Sequence, residues 1–174
     1  MLKKSLISFL CIMLSFMLLT SCRSSENPEP ERTDRLGIEL LVSSRTIHFD
    51  SHDNFFGEGE LYEVYKLERY MGVHIAEEIS GNENWHTFPM DDFISSLIYG
   101  ADNITSSFPT DKSGKTYDII IPQLKHGYYC FYDKRVRSYE LQNFASSYNE
   151  FDYGFCLAVF DIDNYTFYYL EMDR

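Results

Sequence analysis

The chain reads as an α+β domain on a mostly antiparallel sheet, and three observations predict this. Segments dense in Tyr, Phe, Ile and Val crowd the last third of the sequence, two stretches with helical spacing lie in the middle, and no strand–helix–strand alternation links them. The order strands, helices, strands predicts an N-terminal hairpin, two short helices and a C-terminal β-meander.

Gly37 to Phe49 is rich in β-branched and apolar residues and is expected to form one long strand, or two broken near Ser43-Ser44. Asp50 to Gly59 carries two glycines among polar residues and suits a loop. Glu60 to Glu68 is ambiguous. Leu61, Val64 and Tyr65 fit a helical face, whereas Tyr62, Val64 and Tyr65 favour a strand; strand is preferred, closing a hairpin with the preceding segment.

Ile75, Ala76 and Ile79 share a helical face with Glu77 and Glu78 opposite, and this helix ends near Gly81. A second helix is expected from Met90 to Tyr99. Phe93, Ile94, Leu97 and Ile98 make its apolar face, Asp91 and Asp92 favour its N-terminus, and Gly100 terminates it. Trp85, the only tryptophan, lies between the two and reads as an anchor against the core. Ala101 to Thr116 is polar and loop-like.

The meander comprises Tyr117 to Ile121, Gly127 to Asp133, Tyr153 to Ile162 and Tyr165 to Met172. Asp163-Asn164 is a two-residue turn signal that pairs Ile162 with Tyr165 and Leu157 with Leu170. Strands apolar on both faces need cover on both, expected as helices on one side and a loop on the other.

Ahead of this domain stands a different kind of sequence. Lys3 and Lys4 precede an apolar run from Leu6 to Leu19, which suits a secretory signal core but is short for a membrane span. Leu19-Thr20-Ser21-Cys22 follows directly and resembles the bacterial lipobox. The resemblance implies cleavage before Cys22, lipid on its thiol, and a protein held on the extracytoplasmic face of the cell membrane by acyl chains such as palmitate. Residues 23–35 contain two prolines and no apolar side chain, so 22–35 is expected to be a lipidated flexible tether and 36–174 a single domain.

Removing residues 1–21 leaves 174 − 21 = 153 residues and takes the formal charge from −12 to −14. Such acidity argues against nucleic acid and against anionic headgroups as partners, and leaves a basic protein or peptide, or a cation. With Cys11 in the signal and Cys22 lipidated, the domain keeps Cys130 and Cys156, which form either a disulfide in an oxidising compartment or two buried thiols. No Cys-x-x-Cys is present.

No catalytic residue is nominated. Gly-x-Ser-x-Gly and His-Glu-x-x-His are absent, and Ser113-Gly114-Lys115-Thr116 lacks the upstream glycine of a phosphate-binding loop, with Pro109 in its place. Asn103-Ile104-Thr105 matches a glycosylation sequon that a bacterial lipobox makes irrelevant. The adjacent pairs Glu77-Glu78 and Asp91-Asp92 diverge by about 100° on a helix and do not converge on a substrate.

The densest polar cluster runs from His48 to Gly59. Strand alternation puts His48, Asp50 and His52 on one side, two imidazoles and a carboxylate suited to a metal ion, while Gly57 and Gly59 permit a tight turn. Within it Asp50, Ser51, His52, Phe55, Gly57 and Gly59 resemble a segment of an uncharacterised group of small lipoproteins from low-GC Gram-positive bacteria. Asp53, Asn54, Phe56 and Glu58 depart from that pattern, and Phe56 replaces a second histidine. Asn84-Trp85, Leu97-Ile98-Tyr99-Gly100, Gly127-Tyr128-Tyr129, Phe131-Tyr132-Asp133 and the last hairpin are also similar. The resemblance implies location and architecture, with no activity or cofactor. The expected function is a binding module for a protein or peptide with Asp50, His52, Phe55, Gly57 and Gly59 at its site; the alternative is a metal-binding module, or a metal-dependent activity, around Asp50 and His52.

Overall fold

The structure, a computed structural model, describes residues 35–40, 44–52, 58–99, 121–148 and 153–173. Among these are six strands and three helices: β1 (Arg45–Asp50), β2 (Gly59–Lys66), α1 (Arg69–Ser80), β3 (His86–Thr87), α2 (Asp92–Tyr99), β4 (Gly127–Asp133), α3 (Leu141–Ser147), β5 (Gly154–Asp161) and β6 (Thr166–Asp173). The signal, Cys22, the glycine at 100, the turn at 113–116 and most of the expected strand at 117–121 lie outside the described residues.

One antiparallel sheet has the order β1-β2-β6-β5-β4-β3. The fold is α+β, as the segment order predicts. The ambiguous segment at 60–68 is a strand, because its partners β1 and β6 supply backbone hydrogen bonds on both sides and its two faces are both buried. The last hairpin has the expected register, with Leu157 opposite Leu170. Its strands stop at Asp161 and Thr166, so the turn is four residues rather than two. Asp161 holds it, accepting bonds from the Asp163 and Asn164 amides at 3.0 and 3.1 Å.

Residues 37–40 are not a strand. Leu36, Ile38 and Leu40 are buried as an irregular strap, in which Gly37 takes φ +65° and a Cβ there would fall 2.6 Å from Asn82 Nδ2. Trp85 is the anchor its position suggests. Its indole N–H donates to the Leu36 carbonyl at 2.9 Å and its ring meets Phe167 edge-on.

The sheet is covered on both faces, by helices on each. One face packs Tyr65, Cys130, Cys156, Ala158, Phe160, Phe167 and Tyr169 against α1 and the strap. The other packs Tyr62, Val64, Phe131, Phe155, Leu157 and Leu170 against α2 and α3. Helix α3 has no strong sequence signal; it is held by Phe144, fully buried among Phe93, Phe131 and Phe155. The two-residue strand β3 is equally invisible to periodicity, since it exists only through pairing with Tyr128 and Tyr129.

Candidate functional site

On the face that packs α1, alternate residues of β2 and β6 break the apolar pattern. The register sets Tyr65 beside Phe167, Glu63 beside Tyr169, Leu61 beside Glu171 and Gly59 beside Asp173. Two acidic side chains, Glu63 and Glu171, are thereby buried. Each is matched with a tyrosine two residues away on its own strand, since alternate residues share a face. Tyr65 donates to Glu63 Oε2 at 2.7 Å and Tyr169 to Glu171 Oε2 at 2.7 Å.

The other oxygen of each carboxylate meets cationic or imidazole groups. Glu63 Oε1 accepts from Arg45 at 2.8 Å and lies 2.8 Å from His48 Nδ1. On β6, Glu171 Oε1 accepts from the Lys134 ammonium and has the Arg35 guanidinium 3.8 Å away. Burial opposes ionisation of Glu171, but Lys134, Tyr169 and Arg35 together outweigh it and hold the carboxyl below its usual range. Burial likewise works against the charge on Lys134, and its bonds to Asp173 and Glu171 more than compensate, raising its pKa.

Lys134 Nζ also donates to Asp173 Oδ2 at 2.6 Å, and His52 Nε2 lies 3.1 Å from the same oxygen. His52 Nδ1 is 2.8 Å from Asp50 Oδ1. A continuous polar chain thus runs from Asp50 through His52, Asp173, Lys134 and Glu171 to Tyr169, and on to Cys156, whose sulfur lies 3.3 Å from the Tyr169 hydroxyl oxygen and accepts from Arg35 at 3.4 Å. Glu171, Asp173 and His52 offer ligand atoms within 4.8 Å of one another. The ammonium of Lys134 sits on both carboxylates of that group, so a cation entering it has to displace a resident charge.

The expected triad is therefore split. His48 and Asp50 do share one side of β1, as alternation requires, but His48 turns to Glu63 while Asp50 and His52 turn towards Asp173. The reason is tertiary: β2 places a buried carboxylate beside His48, and β6 ends beside His52. Gly59 has a structural task, since a Cβ there would fall 2.4 Å from His52 Cα. Phe55 and Gly57 lie outside the described residues. Sequence reasoning missed Glu63, Lys134, Glu171 and Asp173. The legible signal was a glutamate at an alternate position inside a strand otherwise apolar on that face.

Cys130 and Cys156 are both buried and free. The two are not bonded in the structure: Cys130 faces Ala158 and Cys156 faces Tyr132, so the cysteines are diagonal rather than directly opposite neighbours. Burial first, and mutual repulsion for Cys130, push the thiols up to about 12 for Cys130 and about 11 for Cys156. Both are buried, and the Cys156 sulfur also ends the polar chain.

A further buried carboxylate lies at the far end of β4. Asp133 Oδ1 accepts from the amides of Arg135 and Val136, closing the turn after the strand, and its Oδ2 has no hydrogen-bond partner among the described residues.

Comparison with protein families, with curated proteins and with solved structures finds no match.

Proposed function

We propose that this chain is a lipid-anchored extracytoplasmic protein whose folded domain is an interaction module for a basic protein or peptide. The signal-like N-terminus, the lipobox resemblance at Cys22 and the acidic charge support the location and the partner's sign. One structural observation carries the binding reading: β1 is the outer strand of the sheet, and Arg45, Thr46, Ile47 and His48 are exposed on it, Ile47 by 44%. The Ser51 amide bonds inward to the Glu60 carbonyl at 2.9 Å, so alternation turns the backbone groups of His48 and Asp50 outward. A strand edge with no neighbour among the described residues accepts an extended peptide as an added strand.

A test uses the full chain with an acetylated peptide of alternating Lys and Val. Expected are binding that weakens as salt rises and slowed amide exchange at His48 and Asp50. Binding without protection of those amides, or no binding, rejects the edge reading.

A second reading, a metal-binding module, is favoured by the grouping of His52, Glu171 and Asp173. It predicts a thermal midpoint raised by calcium, zinc or manganese, reversed by chelator and lost in His52→Ala. An unchanged midpoint with all three ions rejects it.

A further inference from the structure

Leu36, Ile38 and Leu40 are core residues, yet residues 37–40 belong to no strand or helix. On the face that packs α1, strands β2 and β6 carry the large rings of Tyr65, Phe167 and Tyr169. Strands β4 and β5 carry small side chains there instead, those of Cys130, Cys156 and Ala158. Small residues leave depth above the sheet, and a packed interior does not leave such depth empty. The strap fills it, for its three apolar side chains belong to the same buried group as both cysteines.

Side chains of other elements tie the strap down. The Trp85 indole and the Tyr139 hydroxyl donate to the Leu36 and Arg35 carbonyls at 2.9 and 2.6 Å. Arg35 lays its guanidinium over the Tyr132 ring and places Nη1 3.4 Å from Cys156 Sγ. The sheet is held differently. Each strand is hydrogen-bonded to a neighbour, and β5, buried at every position, to two. Lifting any strand breaks a ladder, whereas lifting the strap breaks none. An element that shares no ladder with the core opens at lower cost than the ladders beneath it.

We propose that the strap is a latch, which leaves β4 and β5 as a unit while the sheet stays folded and so bares the Cys130 and Cys156 thiols. Closed, it shields both. Open, it returns them to water, where a thiol is an ordinary nucleophile. The strap is also the domain's covalent link to the preceding chain, so a pull on that chain loads the latch before it loads the sheet. The latch needs neither a peptide at the β1 edge nor a metal ion.

The experiment labels the full chain with N-ethylmaleimide at about pH 8 in low urea, reads Cys130 and Cys156 by peptide mass, and follows amide exchange of β5 in parallel. Both thiols are expected to report an opening that urea changes little and that is more frequent than the opening exchange gives for Leu157 and Val159. Ile38→Ala should speed the labelling by about thirtyfold or more. Leu157→Ala, on the other face of the sheet, should speed exchange in β5 and leave the labelling as it was. Should Ile38→Ala fail to fold, Tyr139→Phe, which removes the bond to the Arg35 carbonyl, should still speed the labelling. Labelling that follows β5 exchange in urea, and responds to Leu157→Ala as strongly as to the strap variants, overturns the latch. Absence of labelling short of global unfolding overturns it as well.

Discussion

His52 Nε2 lies 3.1 Å from Asp173 Oδ2, joining the end of the first strand to the end of the last across 121 positions of sequence. Lys134 shares that oxygen at 2.6 Å, so three separate segments converge on one carboxylate. Lys134 supplies the positive charge that holds Asp173 and Glu171 together. Lys134→Met is expected to destabilise the fold by about 2 kcal/mol at neutral pH, because two close carboxylates lose their counterion. Urea unfolding checks it, and the loss should shrink at about pH 3, where the carboxylates begin to protonate.

The same variant bears on the metal reading. Removing the resident ammonium vacates the position between Glu171 and Asp173. Zinc or calcium should therefore stabilise Lys134→Met more than the parent chain, measured as the shift in thermal midpoint. An equal shift in both places the ion elsewhere.

The pH dependence has a definite sign. Glu171 is held below its ordinary 4.5, so its contribution to stability is complete above that value and fades as pH falls through the lower folded-state value. The acid limb of the unfolding midpoint should soften in Glu171→Gln. Lys134 is raised above 10.5, so its contribution is complete below that value and disappears as pH rises past the folded-state value.

Buried thiols pushed up to about 12 and about 11 should not react near neutral pH. Iodoacetamide is expected to leave Cys130 and Cys156 unmodified in the folded chain and to alkylate both in denaturant without reductant. Two sulfurs that stay blocked in denaturant until reduced would establish a disulfide instead.

Phe144 is the anchor of α3, fully buried against three other rings. Phe144→Ala is expected to cost about 3–5 kcal/mol. Loss of protection confined to 141–147 in hydrogen exchange would show that α3 opens by itself, and a global loss that it is part of the cooperative core.

What the sequence determined by itself is the part governed by short-range periodicity and turn chemistry. The strand at 127–133, the helical faces around Ile75–Ile79 and Phe93–Ile98 and the core position of Trp85 follow from side chains within a few positions of one another, and the Leu157–Leu170 register follows from the turn residues between those two strands. Tertiary structure alone decided which polar groups meet. His48 and His52 lie four positions apart on a segment that alternation reads as one face, yet they serve different carboxylates, because Glu63 and Asp173 are delivered by two other strands. The strap at 36–40 and helix α3 were equally beyond local reading, since each is held by burial against distant residues rather than by its own pattern. Strand pairing brings together residues more than a hundred positions apart, and no local pattern encodes that proximity.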